Sequence, residues 1–286
     1  KTVQQEQPIN EHSVEAFCED IEAAYDEDAE AAYYDEYLNT LRSSSAMEEA
    51  VIKELTDNEQ PVTVNQVLAM EHIMQSGYYN SVFGEDKKDT AKAETFLEKS
   101  GDRQALEAAY DDLEEDAAKD LETAVAADDN QDYETIRDLR MRYREIGLIR
   151  NLSQRHDYRI PMVTEEGVGM IHLTLVQDAK EKGRISVHLN TQELGTVSVE
   201  AKVGSDSAEL YGISDTSADK LSEKLEQAAE ELKENNGFKE VEVHCQDIRT
   251  VRRVTYDKAA ESVASDKLYK AAKTIVYALA GKTENA

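Results

Sequence analysis

Sixty-one carboxylates in a chain of 286 residues could supply acid–base or glycosidase pairs, but at this density close pairs arise by chance and assign nothing. Asp128-Asp129-Asn130-Gln131-Asp132 places side-chain oxygens at the first, third and fifth positions of a calcium loop. Tyr133 replaces that loop's glycine and Leu139 its bidentate glutamate, so a helix N-cap cluster is the commoner use of these residues. His188 and His244 fall on the polar faces of expected strands, where neighbouring strands could make them metal ligands or a proton pair. No third ligand is set by spacing, and exposed histidine is the ordinary alternative. Arg137, Arg140, Arg142, Arg144, Arg150, Arg155 and Arg159 crowd one segment that suits an acidic peptide, a phosphate, or pairing with acidic helices at about 0–1 kcal/mol per exposed pair. Tyr25, Tyr33, Tyr34 and Tyr37 make a binding stripe or, more commonly, packing between helices. Cys18 and Cys245 lie far apart without metal-ligand spacing and read as buried thiols. No Gly-rich phosphate loop, Gly-x-Ser-x-Gly elbow or His-Glu-x-x-His is present, and Gly167-Val168-Gly169 lacks a third glycine and precedes a strand. No catalytic residue, metal or cofactor is expected, so the chain reads as a non-enzyme.

The elements that would position these residues divide into two kinds. After a polar lead-in over residues 1–12, Val14, Phe17, Ile21, Ala24, Ala31, Tyr34, Leu38 and Leu41 trace a long acidic helix. Met47, Val51, Ile52 and Leu55 mark a second helix, which Asp57 to Pro61 ends because the residue before proline avoids the helical region. Thr63-Val64-Asn65-Gln66 is a capping-box pattern ahead of a third helix, stopped at Gly77. Asp89 to Lys99, Asp102 to Ala127 and Gln131 to about Arg155 complete an all-helical half with no fixed repeat.

Beyond it the apolar period changes to two. Met170 to Val176 predicts a strand; Ile185, Val187 and Leu189 predict another, and Val197, Val199, Ala201 and Val203 a third. Gly204-Ser205-Asp206-Ser207 turns the chain into a further strand from Ala208 to Ile213. Thr216-Ser217-Ala218-Asp219 resembles a capping box, and Leu221, Leu225, Ala228 and Leu232 predict a helix of about five turns. Asn235-Asn236-Gly237 stops it, and Val241, Val243 and Cys245 alternate in a last strand. A final helix over Asp257 to Leu279 should dock on one of the domains. The expected fold is α+β: an acidic helical domain at 13–158, a small domain at 159–250 with an antiparallel or mixed sheet of four to five strands and one packed helix, and a C-terminal helix and tail at 251–286.

Charge follows this division. Residues 1–136 carry 36 acidic against 9 basic side chains, net −27, whereas residues 137–286 carry 25 against 23. The first half therefore repels nucleic-acid backbones and anionic membrane surfaces. No apolar run approaches the roughly 20 residues of a membrane span, so a soluble protein without membrane insertion is expected. The chain begins at Lys1 with no basic-then-apolar leader and reads as a processed form or a fragment.

The stretch Leu189-Asn190-Thr191-Gln192-Glu193-Leu194-Gly195-Thr196-Val197-Ser198-Val199 joins two alternating strands through a turn ending in Leu-Gly. It resembles the C-terminal signature of bacterial flagellar hook-length control proteins, a strand, Leu-x-Pro-x-x-Leu-Gly, and a second strand of the form x-Val-x-Val. Leu189, Leu194, Gly195, Val197 and Val199 fall on the pattern, and Thr191 stands where the family usually has proline. The resemblance covers about residues 170–247. It implies a binding protein that contacts the cytoplasmic part of a membrane export-gate protein and switches export from hook to filament subunits. The protein would be cytoplasmic, or exported through the flagellar secretion system. Leu189, Gln192, Glu193, Leu194, Gly195, Val197 and Val199 become the candidate partner surface, with Leu194 as a core anchor and Gly195 as a turn residue as the competing roles. The helical half departs from the family, whose N-terminal portion is extended. A non-flagellar interaction or scaffold protein sharing only the fold is the alternative, and an uncharacterised hydrolase ranks last.

Overall fold

The computed structural model describes residues 45–74, 87–126, 133–164, 167–177, 182–247 and 264–282. The long acidic helix expected at 14–41, its tyrosines, Cys18, Gly77 and the calcium-like loop at 128–132 lie outside the described residues. The chain forms two compact units, one of Lys1–Gln75 and Glu114–Leu148, the other of Ser76–Leu113 and Ile149–Ala286. Among the described residues no helix is long and apolar enough to cross a membrane.

The first unit is helical. Helix α1 (Ser45–Asp57) packs against α2 (Val64–Met74) through Val51, Leu55, Val67, Met70 and Ile73, all buried. Glu59 has φ 52°, and Gln60 N–H donates to the Leu55 carbonyl at 2.8 Å while Glu59 N–H donates to Thr56 at 3.0 Å, a Schellman end that places Pro61 beyond the last turn. Thr63 caps α2 as its sequence suggests, its Oγ1 accepting the Gln66 N–H at 3.3 Å. Helices α4 (Arg103–Ala126) and α5 (Tyr133–Ser153) contribute to both units. Within the first unit, Arg142 pairs with Asp120 at 3.3 Å and Arg144 donates to Asn65 at 3.0 Å, so part of the arginine cluster does meet polar partners on other helices.

The second unit is built on one six-stranded sheet in chain order: β1 (Asp157–Thr164), β2 (Gly167–Gln177), β3 (Gly183–Thr191), β4 (Gly195–Val203), β5 (Ser207–Ser214) and β6 (Glu240–Asp247). The first five form an antiparallel meander; β6 joins β5 in parallel after a crossover through α6 (Ala218–Asn235). Parallel pairing requires such a crossover, whereas the meander needs only turns. Among the described residues the sheet has six strands rather than four or five. The added strand is β1, where Tyr158, Ile160 and Met162 alternate with Asp157 and Arg159 but Pro161 argues against a strand.

One face is apolar. Ile171, Leu173, Ile185, Val187, Leu189, Val197, Val199, Ala201 and Leu210 are buried on it, and the buried Leu221, Leu225, Ala228 and Leu232 belong to α6, which packs on β5 and β6. Helix α7 (Asp266–Leu279) lies beside α6 and on β3, the docking expected of a C-terminal helix, whereas α3 (Lys87–Lys99), expected in the helical half, packs on β1. Ser217 Oγ accepts the Lys220 N–H at 3.3 Å, making Ser217 the cap of α6, and Gly237 at φ 73° ends that helix.

Gly212 permits the close seating of α6: a Cβ there would stand 2.7 Å from Leu225 Cδ1, 2.9 Å from Leu221 Cδ2 and 3.1 Å from Cys245 Sγ. Gly212→Val should therefore destabilise this unit by about 1–3 kcal/mol through overpacking, read as a lowered urea midpoint. An unchanged midpoint would show that α6 shifts freely on the sheet.

Candidate functional site

Thr191, at the position where the signature has proline, organises the β3–β4 turn by accepting the Leu194 N–H on its Oγ1 at 3.1 Å. Gly195 follows with φ 66°, the left-handed region that glycine enters without cost. The turn is fastened to the β5–α6 junction. Ser214, fully buried, donates through Oγ to the Leu194 carbonyl at 2.8 Å and accepts the N–H groups of Thr216 and Ser217 at 3.0 and 2.9 Å. Asp215 Oδ1 accepts the Thr196 N–H at 2.9 Å, and hydrogen bonding to Thr196 holds the Asp215 carboxyl below its ordinary value.

Leu189, Leu194, Val197 and Val199 are buried in the core, so four of the seven candidate partner residues present no surface. Gln192 and Glu193 are exposed at the tip, where Glu193 meets Lys224 of α6 at 3.4 Å. The turn can offer a partner a short polar tip on a rigid support.

The other sheet face is polar and ordered into rows by register. Asp157, Thr174, Ser186, Glu200, Tyr211 and His244 form one row, and Arg159, His172, His188, Ser198, Ile213 and Gln246 the next. His188 and His244 are separated by three strand spacings, about 14 Å at the usual 4.8 Å each, and so form neither a metal pair nor a proton pair with one another. His188 instead neighbours His172 across β2 and β3, and His244 stacks on Tyr211 with ring centroids 5.1 Å apart.

At the β1 end this face holds charge in the interior. Asp157 and Arg159 are each 1% exposed and form an ion pair, and Asp157 Oδ1 also lies 2.8 Å from His172 Nε2. Thr174 Oγ1 reaches the same Nε2 at 3.3 Å. Hydroxyl and carboxylate thus converge on one ring nitrogen instead of flanking the imidazole, so the group lacks the relay of a nucleophilic triad. The Asp157–Arg159 pair lies within β1, and the Asp157–His172 contact clasps β1 to β2. Of these residues the sequence singled out only Arg159; the Asp-x-Arg and His-x-Thr spacings that put each pair on one strand face were the available signal.

A second polar chain lies on the apolar side. Tyr158 and Tyr269 hydroxyls meet at 2.5 Å, and His156 Nδ1 lies 2.8 Å from Tyr269 Oη. Tyr110 Oη donates to the Arg159 carbonyl at 3.0 Å. His156 has φ 58°, ending α5 and turning the chain into β1. Burial pushes all three phenols up, Tyr269 to about 12. Their protonated forms therefore stabilise the folded state below the ordinary tyrosine value near 10, and that contribution is lost as pH rises through the folded values. Phenolate absorbance from these tyrosines should appear together with loss of near-ultraviolet dichroism above about pH 10, not before it. Ionisation at pH 10 with the fold intact would refute this placement of the tyrosines.

Arg150 pairs with Asp111 within the second unit. Comparison with protein-family models, with curated proteins and with solved structures finds no match.

Proposed function

We propose that this protein acts by binding, in the manner of the flagellar hook-length control proteins its signature resembles. The observation that carries the proposal is the signature turn in its context: strand, Leu-Gly turn, strand, hairpin strand, capped helix and closing strand, in the order the resemblance implies. The stabilised turn supports it too, because Ser214 and Asp215 hold the tip bearing Gln192 and Glu193 in one conformation, which lowers the entropy lost on binding. In this reading the partner is the cytoplasmic domain of an export-gate membrane protein and the outcome is a change of export specificity, with no catalysis by the chain itself.

Deletion should give abnormally long hooks without filaments, and the purified full chain should bind the export-gate domain of the same cell. The surface variant Gln192→Ala/Glu193→Lys should weaken that binding while leaving the thermal melt unchanged. Normal flagella in a clean deletion would reject the reading in favour of an interaction protein that shares only the fold.

A further inference from the structure

The last strand, β6, lies at the end of the sheet, and among the described residues no strand pairs its outer side. Alternate backbone N–H and C=O groups therefore face outward, the arrangement that accepts an added strand. The opposite edge is poorly suited to this: β1 carries Pro161, which has no N–H to donate, and α3 packs against it. Strand β6 contains neither proline nor glycine.

The two faces beside this edge specify different side chains. On the core face Ala208 and Leu210 of β5 are fully buried, while Val241, Val243 and Cys245 of β6 are only half-buried, leaving an apolar strip open beside α6. On the polar face Glu240, Glu242 and His244 are exposed, and the Tyr211 hydroxyl donates to Glu209 Oε2 at 2.8 Å, a bond that raises the phenol's pKa. This face already holds one ammonium group: Lys202 Nζ sits 4.7 Å from the Tyr211 ring centre.

We propose that the β6 edge is a strand-addition site for an extended segment of a partner protein in which basic residues alternate with apolar ones. Its backbone pairs with β6, its apolar side chains complete the strip at Val241 and Val243, and its basic side chains lie opposite Glu240 and Glu242, at cross-strand Cβ distances of about 5 Å. A second copy of this chain is the poorer occupant, since it would bring the same glutamate-rich edge beside itself. The inference does not rest on the flagellar reading, because it concerns a different surface from the turn at Gln192 and Glu193.

The test uses the full chain and a labelled eight-residue peptide of alternating lysine and valine, followed by fluorescence anisotropy and by amide exchange of residues 240–247. A peptide of four lysines followed by four valines controls for diffuse attraction to an acidic protein. Binding of the alternating peptide with slowed exchange in β6 is expected. Glu240→Lys/Glu242→Lys should weaken it about tenfold, while Glu230→Lys/Glu234→Lys, an equal charge change on the exposed face of α6, should leave it within about twofold. Equal binding of the block peptide, or equal loss in both variants, would overturn the proposal in favour of unspecific electrostatics. Slowed β6 exchange that rises with protein concentration, without peptide binding, would overturn it in favour of self-association.

Discussion

Asp157→Leu should destabilise the sheet unit by about 3–5 kcal/mol, more than any surface ion-pair variant of this chain. The carboxylate is 1% exposed and is shared by Arg159 and His172, so its removal takes the countercharge from a guanidinium that is itself 1% exposed. Desolvation of that guanidinium is then no longer offset by its closest carboxylate. The exposed pair Lys53–Asp57, at 2.8 Å, has a shorter contact than several others here, yet Lys53→Ala should cost no more than about 1 kcal/mol because water screens both partners. Burial, not distance, decides the ranking. The double variant Asp157→Leu/Arg159→Met should recover much of the loss, since paired charges replaced by apolar groups of similar volume are often neutral or stabilising. Urea midpoints of the two single variants and the double variant measure this directly. A single-variant cost below about 1 kcal/mol would mean that the clasp does not organise β1.

Leu194→Asp should abolish folding of the sheet unit, with a cost above about 4 kcal/mol, because it places a charge at a 1% exposed position beside no basic partner from the turn. Gly195→Ala should cost about 2–4 kcal/mol, combining the left-handed backbone with the crowding of a Cβ 2.1 Å from both Asp215 Oδ1 and Thr216 Oγ1. Gln192→Ala should stay within about 0.5 kcal/mol. Circular-dichroism melts of the three variants check the order. Should Leu194→Asp melt like the parent, Leu194 would be a surface residue and the placement of the turn would be wrong. The practical consequence is that loss of partner binding in a Leu194 variant reads folding, and that binding is to be tested at residues 192 and 193.

Much of the second unit was legible because its signals are local. The alternation of Ile185, Val187 and Leu189 and of Val197, Val199 and Ala201 specifies two strands with one dry face, and that face is the buried one. The Asn-Asn-Gly stop and the cap at Ser217 mark α6 for the same reason: backbone preference is set within a few residues. Leu194 and Gly195 were legible as a motif, but the motif does not distinguish a contact surface from a core anchor. That choice depends on Ser214 and Asp215, about twenty residues on, which return to grip the turn.

Strand β1 alternates like the others, with Tyr158, Ile160 and Met162 buried on the core face and Asp157 and Arg159 on the other; it was hidden because Pro161 argues against a strand and Arg159 reads as the end of the arginine-rich segment. Sheet order likewise decided that His188 and His244 stand apart, since a strand's sequence gives its face but not its neighbour. The sequence by itself determined which faces are dry, where the chain turns and where the charge lies, all consequences of short-range sterics and solvation. Tertiary structure alone decided which polar groups meet, because pairing joins residues far apart along the chain. It also decided that, among the described residues, β6 ends the sheet with an acidic and half-apolar edge.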